Sequence, residues 1–131
     1  MEEFIKLGLR DIDFNSMLEI NPSIKEMSSE EINKYVIFLS NIGCEDRHIR
    51  NIIITNPFYF NRDVTDLVNL VHYLTKVGFT NLYLLFDSNP FLLNKDDFEI
   101  NDFFNEKFNS GMNIEDIRDL IDSNPYIIDE I

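Results

Sequence analysis

Few side chains in this 131-residue sequence have the types and spacing that catalysis or metal binding requires. Cys44 and His48 lie four residues apart, so on one helix the imidazole could activate the thiolate or share a metal ion with it. Cys44 directly follows Gly43, however, which places it in a turn, and His72, the other histidine, lies in a different segment. The sequence therefore predicts a structural cysteine, with no metal ion and no cofactor.

Residues 11–15 (Asp-Ile-Asp-Phe-Asn) resemble the start of a calcium-binding loop. The sixth position of that loop is Ser16 instead of glycine, and the twelfth is Pro22 instead of glutamate, which argues against an EF-hand. The sequence also contains no phosphate-binding loop, no dinucleotide fingerprint and no Gly-x-Ser-x-Gly motif. No catalytic residue is predicted, and the protein is predicted not to be an enzyme.

Acidic residues outnumber basic ones by 24 to 11, which gives a formal net charge of −13. Residues 96–131 alone carry eleven acids and two bases, whereas residues 35–95 are neutral. Either these acids are solvated helix positions, or they form a surface that recruits a basic partner protein. Nucleic acid is disfavoured, because its affinity for proteins comes largely from lysine and arginine. The candidate acidic surface comprises Asp96, Asp97, Glu99, Asp102, Glu106, Glu115, Asp116, Asp119 and Asp122.

A small group of basic residues interrupts this acidic pattern in the middle of the chain. It consists of Arg47, His48, Arg50 and Arg62. One interpretation is a solvated basic patch, and the other is a contact with a phosphate, a nucleic acid or an acidic peptide.

The elements that must position these groups are organised around the dipeptide Asn-Pro. It begins at Asn21, Asn56, Asn89 and Asn124, at intervals of 35, 33 and 35 residues, and accounts for every proline of the chain. Each of the four glycines precedes one of these prolines by 12 or 14 residues. Self-similarity at this period is typical of a repeat protein.

Each repeat is predicted to contain a longer helix that ends at glycine, a shorter helix that ends before Asn-Pro, and a short 3₁₀-like helix that begins at proline. In the second repeat, apolar residues recur at helical spacing up to Gly43, a residue that can take the left-handed conformation ending a helix. Ser28 and Glu31 have capping-box spacing, and Asn113 is a good N-cap. Because no piece can bury its apolar stripe alone, the predicted fold class is all-α, an α-solenoid.

Proline disfavours the helical conformation of the residue before it, so each Asn-Pro should end one helix. Asparagine is a favoured N-cap and proline a favoured first helical residue, so the same dipeptide should begin the next helix. The four asparagines are accordingly predicted to cap the short helices.

The length and the repeats indicate one helical-repeat domain over residues 1–131, with repeats at about 1–27, 28–62, 63–95 and 96–131. The acidic N-terminus is unlike a signal peptide, no apolar run approaches the roughly 20 residues of a membrane span, and a single cysteine suits a reducing compartment. A cytoplasmic protein is predicted. The lack of Ala, Gln and Trp is typical of an AT-rich genome, such as that of a low-GC bacterium or phage.

The N-terminal segment is apolar at Phe4, Ile5 and Leu7. Terminal repeats of a solenoid need a polar outer face, which this segment supplies poorly. It is therefore a candidate homodimer contact.

The glycine, the spaced apolar residues and the proline together resemble the repeat of the mitochondrial transcription termination factor (mTERF) family. The likeness runs from Gly8 to Ile128. The resemblance implies a superhelix of three-helix units whose concave face binds nucleic acid through basic side chains, of which this chain has few. It is carried by Gly43, Ile49, Ile53, Pro57 and Phe60, and again by Gly111, Ile114, Ile117, Ile121, Pro125 and Ile128.

Three functions remain open at the level of sequence. The preferred one is non-enzymatic protein–protein binding through the concave face or the acidic C-terminal surface. The alternatives are nucleic-acid binding as in mTERF-like proteins, and an acidic inhibitor that mimics nucleic acid to bind a basic protein. Aromatic side chains could stack on bases, but their recurrence at equivalent repeat positions predicts core packing. These aromatic residues are Phe58, Tyr59, Phe60, Phe91, Phe103, Phe104 and Tyr126.

Overall fold

The computed structural model describes residues 2–130, with side chains described for residues 2–127. Two α-helices followed by one 3₁₀ helix occur four times in succession, and residues 2–130 form no β-strand. The predicted all-α fold is confirmed. The α-helices are α1 (Glu2–Lys6), α2 (Asp11–Ile20), α3 (Ser29–Asn41), α4 (Asp46–Thr55), α5 (Val64–Lys76), α6 (Leu82–Ser88), α7 (Asp97–Asn109) and α8 (Ile114–Ser123). The 3₁₀ helices are η1 (Pro22–Glu26), η2 (Pro57–Asn61), η3 (Pro90–Asn94) and η4 (Pro125–Glu130).

We call each succession of two α-helices and one 3₁₀ helix a unit, numbered one to four along the chain. The repeat boundaries predicted from the sequence fall in the short links after η1, η2 and η3. Equivalent helices of successive units pack on each other: α2 on α4, α4 on α6, α5 on α7, η2 on η3 and η3 on η4. One continuous cluster of buried apolar residues extends from Phe4 to Ile121.

Glycine ends the first helix of each unit in the way the sequence predicts. Gly43 has a φ of +105°, in the left-handed region that glycine adopts at little cost. Its N–H donates to the carbonyl of Ser40, and the N–H of Cys44 donates to the carbonyl of Leu39, both at 3.1 Å. This is the Schellman pattern, which satisfies two carbonyls that the end of the helix leaves free.

Two predicted helix starts are also confirmed. The backbone N–H of Glu31 donates to Ser28 Oγ at 3.1 Å, and the Glu31 side chain accepts from the Ser28 N–H. At α8, the N–H of Asp116 donates to Asn113 Oδ1 at 2.8 Å. These side chains pair donors that the first turn of a helix otherwise leaves unpaired.

The predicted role of the Asn-Pro asparagines is wrong for two of them. Each 3₁₀ helix begins at its proline, but the side chains of Asn21 and Asn56 accept no capping hydrogen bond. Asn89 does accept one, from the N–H of Phe91. The short helices therefore begin where proline fixes φ, and capping by asparagine is secondary.

The asparagine amides instead join each unit to the next. The Nδ2 of Asn21 donates to the carbonyl of Pro57 at 3.0 Å, and the Nδ2 of Asn56 donates to the carbonyl of Pro90 at 3.0 Å. Asn89 repeats the bond to Pro125 at 2.9 Å. All three asparagines are buried. We call this series of bonds the asparagine ladder.

Within residues 2–130, no helix has both the length and the apolar character needed to span a membrane.

The asparagine ladder predicts a large difference between two chemically identical substitutions. In Asn56→Ala, the buried Pro90 carbonyl and the Asn94 amide lose their partner, so we expect the free energy of unfolding to fall by about 2 to 3 kcal/mol. Asn124 is exposed, and within the described part of the chain its side chain makes no hydrogen bond. Asn124→Ala should therefore cost less than about 0.5 kcal/mol.

Urea unfolding followed by far-ultraviolet circular dichroism would measure both values. Equal losses of stability in the two variants would show that the ladder does not hold the units together.

Candidate interaction surface

A second joint between units lies at the glycine that ends each first helix. One side chain from the following unit sits against that glycine: Arg50 at Gly8, Tyr83 at Gly43 and Arg118 at Gly78. Each of the three side chains lies seven residues before the proline of its own unit. We call this arrangement the glycine corner.

Arginine in a glycine corner also donates a hydrogen bond to the main chain. The Nη1 of Arg50 donates to the carbonyl of Leu7 at 2.5 Å, and the Nη1 of Arg118 donates to the carbonyl of Val77 at 2.9 Å. In both cases the carbonyl belongs to the residue before the glycine. A cation at the C-terminal end of a helix also interacts favourably with the helix dipole.

Three of the four basic residues that cluster in the sequence are described first. Arg50 fills a glycine corner, and His48 is buried against the Tyr83 ring, with its Nδ1 accepting from the N–H of Glu45. Arg47 is exposed and pairs with Glu45 at 3.3 Å. These bonds leave Arg47 as the member with an exposed head group, so anion binding by the group stays a prediction that the geometry does not favour.

Arg62, the fourth member, links the second unit to the start of α7. Its Nε donates to the carbonyl of Leu93 at 2.8 Å, and its Nη2 lies 2.7 Å from Asp96 Oδ1. The carbonyl of Arg62 accepts from the Tyr35 hydroxyl at 2.6 Å. The Arg62 carbonyl is therefore held within the second unit, while its side chain reaches the third unit and the start of α7.

The acidic residues divide into two groups. Asp96, Glu99 and Asp116 are used locally, in the ion pair to Arg62 and as caps of α7 and α8. Burial and the neighbouring Asp119 raise the pKa of Asp122. The remaining members expose their carboxylates, apart from the partly buried Asp97. The exposed residues are Asp102, Glu106, Glu115, Asp119 and Asp122.

Cys44 and His48 do not form a reactive pair. The Cys44 side chain is buried, and burial together with the nearby Asp87 raises the pKa of its thiol to about 12. The Nδ1 of His48 is already occupied by the Glu45 N–H. Among the residues that the structure describes, no three His, Cys, Asp or Glu side chains converge as metal ligands.

The aromatic residues after the prolines do not all pack in the core. Tyr59 and Phe60 are buried, as predicted, but Phe58, Phe91 and Tyr126, each directly after its proline, are 47%, 40% and 49% exposed. In a 3₁₀ helix residues i and i+3 lie on one face, so Pro57 and Phe60 turn inward together while Phe58 turns outward. The core prediction is thus wrong at these three positions.

The three exposed rings form a row, because η2 packs on η3 and η3 on η4. In the first unit the same position is occupied by Ser23, which is also exposed. We call Phe58, Phe91 and Tyr126 the aromatic row. The period of three residues per turn was the signal in the sequence that could have identified it.

The N-terminal segment is partly exposed. Phe4 and Leu7 are buried in the core, whereas Ile5 is 71% exposed. The homodimer contact inferred from the sequence at this segment stays a prediction.

The stacked units, joined at Asn-Pro and at glycine, define an all-α helical-repeat protein. The mTERF family model matches residues 1–129. The chain belongs to the mTERF family. A comparison with curated proteins gives no match.

The glycine corners predict unequal effects of alanine at two glycines. Both Gly78 and Gly111 have positive φ, so alanine at either position should cost about 1 to 2 kcal/mol. At Gly78 the added Cβ would also lie 1.7 Å from the Arg118 Nη1 and break the bond to Val77, a further loss of about 1 kcal/mol or more. Nothing lies within 4 Å of a Cβ at Gly111. Thermal unfolding of both variants should show Gly78→Ala to be the less stable. The reverse order would show that the contact of Arg118 with Gly78 does not stabilise the fold.

The raised pKa of Cys44 predicts an inert thiol. Because the thiolate is the reactive form, native protein at pH 8 should react with an aromatic disulfide reagent at least about 100-fold more slowly than the same protein unfolded in urea. The reaction is followed by absorbance. Similar rates in both states would show that Cys44 is accessible and ionised.

Proposed function

We propose that this member of the mTERF family is a non-enzymatic protein-binding module and that the aromatic row is its docking surface. The observation that carries the proposal is the exposure of Phe58, Phe91 and Tyr126 at one repeated position. A large apolar ring is left half-exposed at the same position in each of three successive units, so the exposure repeats with the units and is not scattered. Aromatic side chains are also the residues that most often dominate binding energy at protein interfaces.

The charges of the molecule support a protein partner over a nucleic acid. The net charge is −13, and three of the five arginines donate to main-chain carbonyls inside the array. The eight remaining lysines and arginines are outnumbered by the 24 acids, which opposes the release of counterions from a phosphate backbone, the source of most nonspecific affinity for nucleic acid. The acidic C-terminal surface instead favours a partner that carries basic residues beside its apolar patch.

Nucleic-acid binding is the second candidate, and membership of the mTERF family favours it. Single-stranded nucleic acid stacks its bases on exposed aromatic rings, each worth about 1 to 3 kcal/mol, so the aromatic row would serve this function too. Arg47 is the member of the basic group with an exposed head group for a phosphate. The third hypothesis, an acidic mimic of nucleic acid, depends on the carboxylates of the C-terminal surface and not on the row.

The first unit shows which residue can replace the exposed rings of the aromatic row. Because Ser23 occupies the same position in the first unit, Phe58→Ser/Phe91→Ser should fold normally while removing two of the three rings. Phe98→Ser is the matched control, since Phe98 is 61% exposed but lies on α7, outside the row. We expect partners captured from native lysate by the wild type to be lost, by at least about tenfold, with the double variant and retained with the control.

Equal capture by the double variant and the wild type would exclude the aromatic row as the docking surface. Gel-shift titration with a 30-nucleotide single-stranded RNA and a 30-base-pair DNA decides the second candidate. Salt-sensitive binding that weakens in both Phe58→Ser/Phe91→Ser and Arg47→Glu would replace protein binding by nucleic-acid binding as the function.

A further inference from the structure

The surface beside the aromatic row repeats with the units as the row does. Residues three apart in a 3₁₀ helix lie on one face, so Asn61 shares the face of Phe58, and Asn94 shares the face of Phe91. Both asparagines are exposed, like the rings beside them. The second and third units therefore each present a side-chain amide next to an exposed ring.

These two amides keep hydrogen-bond donors for a partner. The Oδ1 of Asn61 accepts from Asn21 Nδ2 at 3.3 Å and from Ser23 Oγ at 3.0 Å, which fixes the orientation of the amide. Within the described part of the chain, the Nδ2 of Asn61 donates to no group. The Nδ2 of Asn94 donates to Asn56 Oδ1 at 3.2 Å, which uses one of its two N–H groups. Each of the two units thus offers an N–H donor beside a ring.

The aromatic row ends at a cleft in the first unit. There Ser23 and Glu26 occupy the positions that Phe58 and Asn61 hold in the second unit. A cleft of about 340 Å³ lies beside Ser23. Its formal net charge is −1, because the charged residues that line it are Glu26, Glu31 and Lys34. This end of the row therefore favours a cation, whereas its middle offers rings and N–H donors.

The spacing of the units restricts the backbone conformation of a partner. Packed helices lie roughly 8 to 10 Å apart, and η2 packs on η3 as η3 packs on η4, so the rings should repeat at about that distance. A polyproline II helix has three residues per turn and rises about 9.3 Å in that turn. Side chains on one face of a β-strand recur every 6.8 Å or so, which is too short. The spacing thus favours polyproline II over a strand.

The free N–H donors favour polyproline II over an α-helix. An α-helix presents the same face again after seven residues, or about 10.5 Å, but its carbonyls are already paired within the helix. A polyproline II segment has no internal hydrogen bonds, so its carbonyls are free to accept from Asn61 and Asn94. Aromatic side chains are also the surface on which proline-rich segments dock.

We propose that the aromatic row binds a proline-rich segment of a partner protein in the polyproline II conformation, with a basic residue at the end that reaches the first unit. One proline of each turn packs on a ring of the row, and carbonyls between these prolines accept from Asn61 and Asn94. The basic residue lies in the cleft beside Glu26, where the charges are complementary. The segment binds in this way only if the aromatic row is the docking surface proposed above.

The test uses the full chain labelled with ¹⁵N, titrated to several millimolar with the neutral peptide acetyl-(Pro-Pro-Ala)₃-amide. A matched peptide has glycine in place of every proline. We expect saturable shifts of the amide signals of residues 58–61 and 91–94. The dissociation constant should be at least about fivefold higher for the glycine peptide, which loses more conformational freedom on binding. One arginine added at one end of the proline peptide, and not at the other, should tighten binding by at least about threefold.

Two variants separate the rings from the cleft. Phe58→Ser/Phe91→Ser should weaken binding of the neutral proline peptide by at least about tenfold, whereas the control Phe98→Ser should leave it unchanged. Glu26→Gln should abolish the preference for arginine at one end and leave the affinity for the neutral peptide unchanged.

A third variant tests the amide donors. Asn61→Asp keeps an oxygen that accepts from Asn21 and Ser23 but removes the N–H donors, so the neutral proline peptide should bind about threefold more weakly or worse. Asn61→Asp and Glu26→Gln change exposed side chains, so they decide the outcome even if the double serine variant does not fold.

Equal affinities for the proline and glycine peptides, unchanged binding in Asn61→Asp, or the same effect of arginine at both ends would overturn the proposal. If no proline peptide binds while capture from lysate still depends on the aromatic row, the row docks a different partner and this one is excluded. If capture does not depend on the row, the docking surface itself is wrong. Shifts of the same amides with the 30-nucleotide single-stranded RNA, and none with the peptides, would assign the row to nucleic acid.

Discussion

The amide of a buried asparagine, donated to the proline carbonyl of the next unit, is the interaction on which the array depends. A five-residue 3₁₀ helix has no stability of its own, because it makes few hydrogen bonds of poor geometry. The asparagine ladder places each short helix against its neighbour and pairs a polar group that would be costly to bury alone. Asn-Pro is therefore both the point where the chain turns and the point where the units join.

The glycine corners take up two of the five arginines of the chain. Each corner arginine lies on the second helix of its unit. It donates to the carbonyl just before the glycine of the preceding unit, and so links the two units. Arg62 makes a similar crossing to Leu93 and Asp96. Because these three guanidinium groups bond inside the array, they offset less of the acidic charge at the surface. The negative surface favours partners that carry basic residues.

Periodicity predicted the local structure well because local structure depends on neighbouring residues. The glycine ends, the Ser28 and Asn113 caps and the proline starts of the 3₁₀ helices all depend on groups within five residues. The asparagine ladder joins residues 34 to 36 apart, and no local rule identifies the partner. The outward turn of Phe58 was missed because the helical period of 3.6 was applied to a segment with a period of three. Similarly, residues that form a charge cluster in sequence, such as Arg47 and Arg50, separate once each faces a different neighbour.

The joints between units are directional. At each joint the earlier unit supplies the asparagine donor and the later unit the proline carbonyl. At two of the three occupied glycine corners the earlier unit also supplies a carbonyl and the later unit an arginine. Contacts made by unlike surfaces are heterologous. Units of this kind can therefore stack in one sense only, each presenting its asparagine and its glycine to the unit that follows it.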